Sequence, residues 1–126
     1  MRIYVAVVIV LLLALSVSLI TLDKLDSTTD DLVAGFDGLE TAIAGDNWED
    51  AGAGIERVEI LWHKHKGWWA MVIDHQEIDN IDMALARIKQ YIKVRNRAMA
   101  SGELAVLKQM LEHIPEKEKV NLKNIF

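Results

Sequence analysis

Four histidines are the side chains of this chain best suited to chemistry near neutral pH, and each has carboxylates close by in sequence. His63 and His65 lie in the run Trp62-His63-Lys64-His65-Lys66-Gly67-Trp68-Trp69. His75 lies in Asp74-His75-Gln76-Glu77-Ile78-Asp79, and His113 follows Glu112. Imidazole and carboxylate together can ligate zinc or another divalent ion. They can equally form a hydrogen-bonded polar layer that sets how helices register. Spacing weakens the metal reading. His63 and His65 are two residues apart, roughly 200° around a helix, and cannot both face one ion from regular helix. There is no His-x-x-x-His pair, and no Glu-x-x-His of the carboxylate-bridged di-metal bundles. A Gly-rich phosphate loop, a Gly-x-Ser-x-Gly elbow and a His-Glu-x-x-His motif are also absent. Carboxylates opening a helix, as in the run 74–82, are what its dipole favours. The expectation is therefore no catalytic residue and no cofactor. His65, Asp74, His75 and His113 are the candidate ligands of the alternative, an extracytoplasmic sensor or divalent-metal or ligand-binding module, and a polar structural layer is the favoured role for the cluster.

These residues must be carried by helices. Leu25, Thr29, Leu32, Phe36, Leu39 and Ile43 recur at alternating steps of four and three, which places them on one helical face. Ser27-Thr28-Thr29 before two aspartates is a helix-start signature, and the pattern leaves open whether a helix begins there or continues from upstream. Gly45-Asp46-Asn47 ends this element and caps the next, whose face is Trp48, Ala51, Ile55, Val58, Trp62 and His65; Gly67 should close it. A third face runs Met71, Asp74, Ile78, Ile81, Leu85, Ile88, Ile92, and Arg95-Asn96-Arg97 ends it with basic and capping residues. A fourth, after Ser101-Gly102, is Leu104, Leu107, Leu111, Ile114, stopped by Pro115. Gly52 and Gly54 inside the second helix each cost about 1 kcal/mol relative to Ala. Either a close-packed neighbour compensates or the helix is weak there.

The rest of the chain is unlike these faces. Ile3 to Leu22 is an uncharged run of 20 residues, polar only at Tyr4, Ser16, Ser18 and Thr21. As a helix it reaches roughly 30 Å, the hydrocarbon thickness. It is longer than the core of a cleaved signal peptide, and apolar residues continue past the candidate small-residue cut at Ser16 and Ser18. A retained transmembrane anchor (an uncleaved signal anchor) over 1–22 is the favoured reading. The 104 residues that follow hold all 19 carboxylates and 13 of the 14 bases, a net charge of −6. That acidity leaves no basic stripe for nucleic acid. With no cysteine there is no disulfide, thiol catalysis or Cys-ligated zinc. One proline and seven glycines offer little for a many-stranded sheet. The fold class expected is all-α: an N-terminal transmembrane helix, then an antiparallel up-down bundle of about four helices over 23–114, and a charged tail over 115–126 whose loose apolar spacing allows one more short helix.

Topology then places the cluster. Arg2 and the α-amino group flank the apolar run on one side and only Lys24 closely on the other, a small bias toward a cytoplasmic N-terminus and an extracytoplasmic domain at the cell membrane. If helices alternate direction, the segment Lys64–Trp69 and all four histidines lie at the membrane-proximal end. Lys64, Lys66, Trp68 and Trp69 become candidates for contact with the bilayer interface or a partner, with at least one of the two tryptophans in the core. Asp74 and His65 both fall on apolar faces, so Asp74 needs a donor: His65 is the nearest candidate, and a backbone N–H or Lys66 would also serve. Ile125 and Phe126 are further partner candidates. The function expected is a membrane-tethered structural or interaction domain, partnered by the bilayer through residues 3–22 and by another membrane protein.

Several stretches together resemble one bacterial family. They are Ala44-Gly45-Asp46-Asn47-Trp48-Glu49, Trp62-His63-Lys64-His65 through Trp69, Asp74-His75-Gln76-Glu77-Ile78-Asp79, His113-Ile114-Pro115-Glu116-Lys117-Glu118 and Leu122-Lys123-Asn124-Ile125. In that order they are similar to domain-of-unknown-function family 4363, small proteins with one N-terminal span and a helical segment. Gly52 and Gly54 depart from the acidic, Ala/Leu-rich second helix usual there. The resemblance implies an envelope protein of Gram-positive type, often encoded beside a small multi-span membrane protein. It implies no activity, substrate or catalytic residue.

Overall fold

A computed structural model describes residues 1–125, up to the backbone of Ile125. The contacts expected of Ile125 and Phe126 lie outside the described residues. Five helices follow one another: α1 (Arg2–Val33), α2 (Phe36–Ala44), α3 (Trp48–Val72), α4 (His75–Lys93) and α5 (Arg97–Ile125). No strand occurs among the described residues. Cross-helix ion pairs show the antiparallel order directly. Lys89–Glu59 and Lys66–Asp82 join α4 to α3, Lys117–Glu77 joins α5 to α4, and Lys119–Asp26 and Lys108–Glu40 join α5 to α1 and α2.

α1 continues without interruption from the apolar run into the bundle. Its residues from Ile3 to Ala14 are all exposed, whereas Leu25, Thr28, Thr29 and Leu32 are buried. A short break at Ala34-Gly35 separates α2, yet the expected face Leu25, Thr29, Leu32, Phe36, Leu39, Ile43 is buried throughout. The two turns far from the apolar run share one geometry. Asp46 and Arg95 occupy the left-handed region (φ 56° and 59°). Asn47 N–H reaches back to the Ala42 carbonyl and Asn96 N–H to that of Tyr91, the bond pattern of a Schellman end. Each Asn then caps the next helix, accepting from Asp50 N–H and Met99 N–H. Arg97 to Asp46 (3.4 Å) ties the two turns together.

Four sequence expectations about these helices need correction. Gly67 does not close α3, which runs to Val72. Trp69 explains why: its ring is fully buried, meets Trp62 edge to face at 5.6 Å and donates from Nε1 to Thr28 Oγ1 at 2.9 Å. Packing of that size outweighs the roughly 1 kcal/mol a mid-helix glycine costs. Met71 and Asp74 are not on a buried seam. Both are exposed, and Asp74 caps α4 by accepting from Gln76 N–H at 3.2 Å. Pro115 does not stop the last helix. Missing one backbone donor, it sits buried beside Ile114, and the turns after it are held by Lys117–Glu77 (3.2 Å) and Lys119–Asp26 (2.7 Å). At its other end α5 begins at Arg97, before Gly102, with Ala100 and Leu104 in the core.

The two doubtful glycines separate. A Cβ on Gly54 would stand 3.2 Å from Leu39 Cδ1, so that position lets α2 and α3 approach closely. A Cβ on Gly52 would meet nothing within 4 Å.

Candidate functional site

The histidines do not converge. In the α3–α4 register set by Lys89–Glu59 and Lys66–Asp82, His63 and His65 stand level with residues near 83–85. His75, at the start of α4, is then some eight to ten residues lower, about 12–15 Å along the axis. The cause is the extension of α3 past Gly67, which moves the turn away from His63 and His65. His63, His75 and His113 are exposed. No group of three His, Asp or Glu side chains among the described residues is placed to hold a metal ion. His65 and Asp74 do not pair: Asp74 is the helix cap, and His65 is half-buried with its Nε2 enclosed and without a partner.

The candidates near Gly67 divide by depth. Trp69 is core, as above. Trp68 is half-buried at the surface, with the Lys24 ammonium 4.4 Å from its ring centre, a cation–π contact. That contact sets Trp68 level with Lys24, two residues past the end of the apolar run, and Met71 beside it is 83% exposed. Lys64 is exposed. Lys66 turns instead to Asp82 (2.6 Å).

Asp82 leads to a feature that stripe counting did not find, an open groove of about 910 Å³ along the α3–α4 seam. Ile55, Trp62, Leu85 and Ile92 form its floor, but each is a core residue no more than 6% exposed. Its walls carry both charge signs: Lys66–Asp82 at one end, Lys89–Glu59 (3.1 Å) midway, and Trp48 with Glu49, Lys93 and Arg95 at the other. Gly52 opens the wall because it contributes no side chain. Asp82 is the best-tied group there, with Oδ1 accepting from Trp62 Nε1 at 2.7 Å and Oδ2 facing Lys66. Burial pushes its carboxyl up, but the hydrogen bonds from Lys66 and Trp62 and the charges of Lys66 and His63 prevail, holding it below its ordinary value of 3.8. Sequence holds a faint trace of this site: Glu59 and Lys66 on α3 and Asp82 and Lys89 on α4 recur at helical spacing beside the two core faces, flanking Trp62.

A second polar seam ties α5 to its neighbours. Lys117 and Lys119 are each raised above the usual lysine value, the first by its hydrogen bond to Glu77 and the second by its hydrogen bond to Asp26. Around Lys119, the residues Glu118, Asn121 and Leu122 border a smaller cavity of about 310 Å³ with Val17, Ser18, Thr21, Leu22 and Leu25 of α1 and Val72 of α3.

The molecule is thus an all-α antiparallel bundle on one helix whose N-terminal part is long and apolar enough to cross a membrane. An open groove with ion-paired walls runs between two of its helices, α3 and α4. The family model described as "Domain of unknown function (DUF4363)" matches residues 19–125, and the chain belongs to that family. No curated protein and no solved structure matches the chain.

Proposed function

We propose that this chain is a membrane-tethered, non-catalytic interaction domain. Ile3–Leu22 anchors it, the N-terminus lies in the cytoplasm, the bundle stands outside, and the α3–α4 groove receives a helix of another membrane protein. One observation carries the tether. On a single continuous helix, residues 3–14 are exposed and, apart from Tyr4, aliphatic, while the turns from Leu25 onward are buried in the bundle. A patch of that extent is not left in water by a soluble monomer. Trp68 and Lys24, level with the end of the run, are the residue types that favour the headgroup region.

The groove supports the interaction half of this reading. Between Trp48 and Lys66 it is 18 residues long, about 27 Å, enough for five turns of a partner helix. Its two-signed walls, with half-buried Trp48 at one end, suit a partner helix that carries charges of both signs along the face it presents. A photo-cross-linking residue at Gly52 tests this, because the added side chain enters open space. In native membranes it should capture one membrane protein reproducibly, and the same probe at exposed Ser101 should not. Equal capture from both positions, or none, would remove the groove from the proposal. Extraction of the protein by alkaline carbonate would remove the anchor.

A further inference from the structure

We infer that the last described turns of α5, from Val120, form a second contact with lipid, inserted beside α1 in the outer part of the bilayer. The inference rests on the membrane reading above and follows from a mismatch of levels. α5 runs antiparallel to α1, with Lys119 Nζ 2.7 Å from Asp26. Beyond that pair, Asn121 and Leu122 border a cavity whose other wall is Val17, Ser18, Thr21 and Leu22. Leu15, Ser18, Thr21 and Leu22 are also the residues of the apolar run that are half covered, while every residue from Met1 to Ala14 is exposed. Bundle packing therefore reaches four to seven residues below Leu22, about 6–10 Å along α1.

Two placements could reconcile this with a bilayer. If the hydrocarbon stopped below the packed region, only residues 3–14 would remain in it. Twelve residues span about 18 Å, far short of the roughly 30 Å required. If instead Ile3–Leu22 crosses in full, the turn of α5 holding Leu122 lies within the same slab. The side chains suit the second placement. Glu118, half-buried, borders the cavity with Ser18 and Thr21; Asn121 borders it too while staying exposed, and Val120 is 57% exposed on the outside. Lys119 and Lys123, one turn apart, have stems long enough to bring their ammonium groups to the headgroups.

The chain has no cysteine, so single-cysteine variants of the full-length protein can each carry one environment-sensitive fluorophore. Val10→Cys reports the span, Val120→Cys the α5 tip and Val94→Cys the far end; all three positions are exposed, so the fold tolerates the label. The probe is a phosphatidylcholine vesicle containing lipid with a nitroxide near the headgroup end of its acyl chain. Labels at 10 and 120 should be blue-shifted relative to 94, and the label at 120 quenched several-fold. If 10 is blue-shifted while 120 matches 94 in colour and quenching, the α5 contact is wrong and the anchor stands. If 10 also matches 94, the membrane reading itself fails and the α5 contact fails with it.

Discussion

Adjacent threonines on α1 should respond in opposite directions to the same substitution. Thr28 and Thr29 are both 5% exposed. The Thr28 hydroxyl donates to the Lys24 carbonyl at 2.9 Å and accepts from Trp69 Nε1 at 2.9 Å. The Thr29 hydroxyl is enclosed and has no partner. Valine replaces hydroxyl by methyl at nearly equal volume and keeps the β-branch, so helix propensity changes little in either case. Thr28→Val leaves a fully buried indole N–H unsatisfied, a loss of about 1–3 kcal/mol. Thr29→Val removes a buried polar group that returns no hydrogen bond, so about 1 kcal/mol should be gained. Each kcal/mol moves the melting temperature by about 4–8 °C in a domain of this size. Thermal melts of the full chain in detergent micelles, followed by far-ultraviolet dichroism, should therefore bracket the unmodified protein, Thr28→Val below and Thr29→Val above. Equal destabilisation by both would refute the hydrogen-bond assignment that distinguishes them.

Other substitutions probe the glycines and the groove. Gly52→Ala should raise stability by about 1 kcal/mol, since its Cβ enters open space. Gly54→Ala should gain nothing or lose stability, because Leu39 stands 3.2 Å away and is itself only 2% exposed; denaturant midpoints of the two variants decide this. Asp82, held below 3.8 in the folded chain, contributes stability that is full above that pH and is lost as pH falls through the lowered folded value. Asp82→Asn keeps an acceptor for Trp62 but forfeits the Lys66 pair. Because that pair is about one-third exposed, the neutral-pH loss should be below about 1 kcal/mol, and the gap to the unmodified protein should close under acid; a gap constant with pH would disprove the assignment.

Much of the architecture was legible because periodicity reports burial directly. The face from Leu25 to Ile43 survives even the break at Ala34-Gly35, since a short bend between two helices preserves which side meets the core. Gly45-Asp46-Asn47 was read correctly as a turn and cap. Errors arose where a local rule met a stronger tertiary contact. Gly67 looked like an end, although Trp62 and Trp69, seven apart, were already on one face. Pro115 looked like a stop, although the lysines after it find carboxylates on α4 and α1. The extension of α3 then displaced the inferred histidine cluster, because a site drawn from helix ends moves with the ends. The groove was the least legible feature. It lies between two faces, and residues from α3 and α4 become neighbours only once their register is set.

The unbroken entry of α1 into the bundle has a mechanical consequence under the membrane reading. No joint separates the half-covered Leu15, Ser18 and Leu22 from the buried Leu25, Thr29 and Leu32. The bundle can neither swivel nor pivot independently of the span. From the level of Trp68 to that of Trp48, α3 rises 20 residues, a lever of about 30 Å. A change of 20° in the tilt of the anchor would carry the far end of the groove sideways by about 10 Å. Spans adjust tilt to the thickness of the bilayer around them. Bilayer thickness would thereby become a lateral coordinate of the groove's outer end, measured against any neighbour fixed in the same membrane.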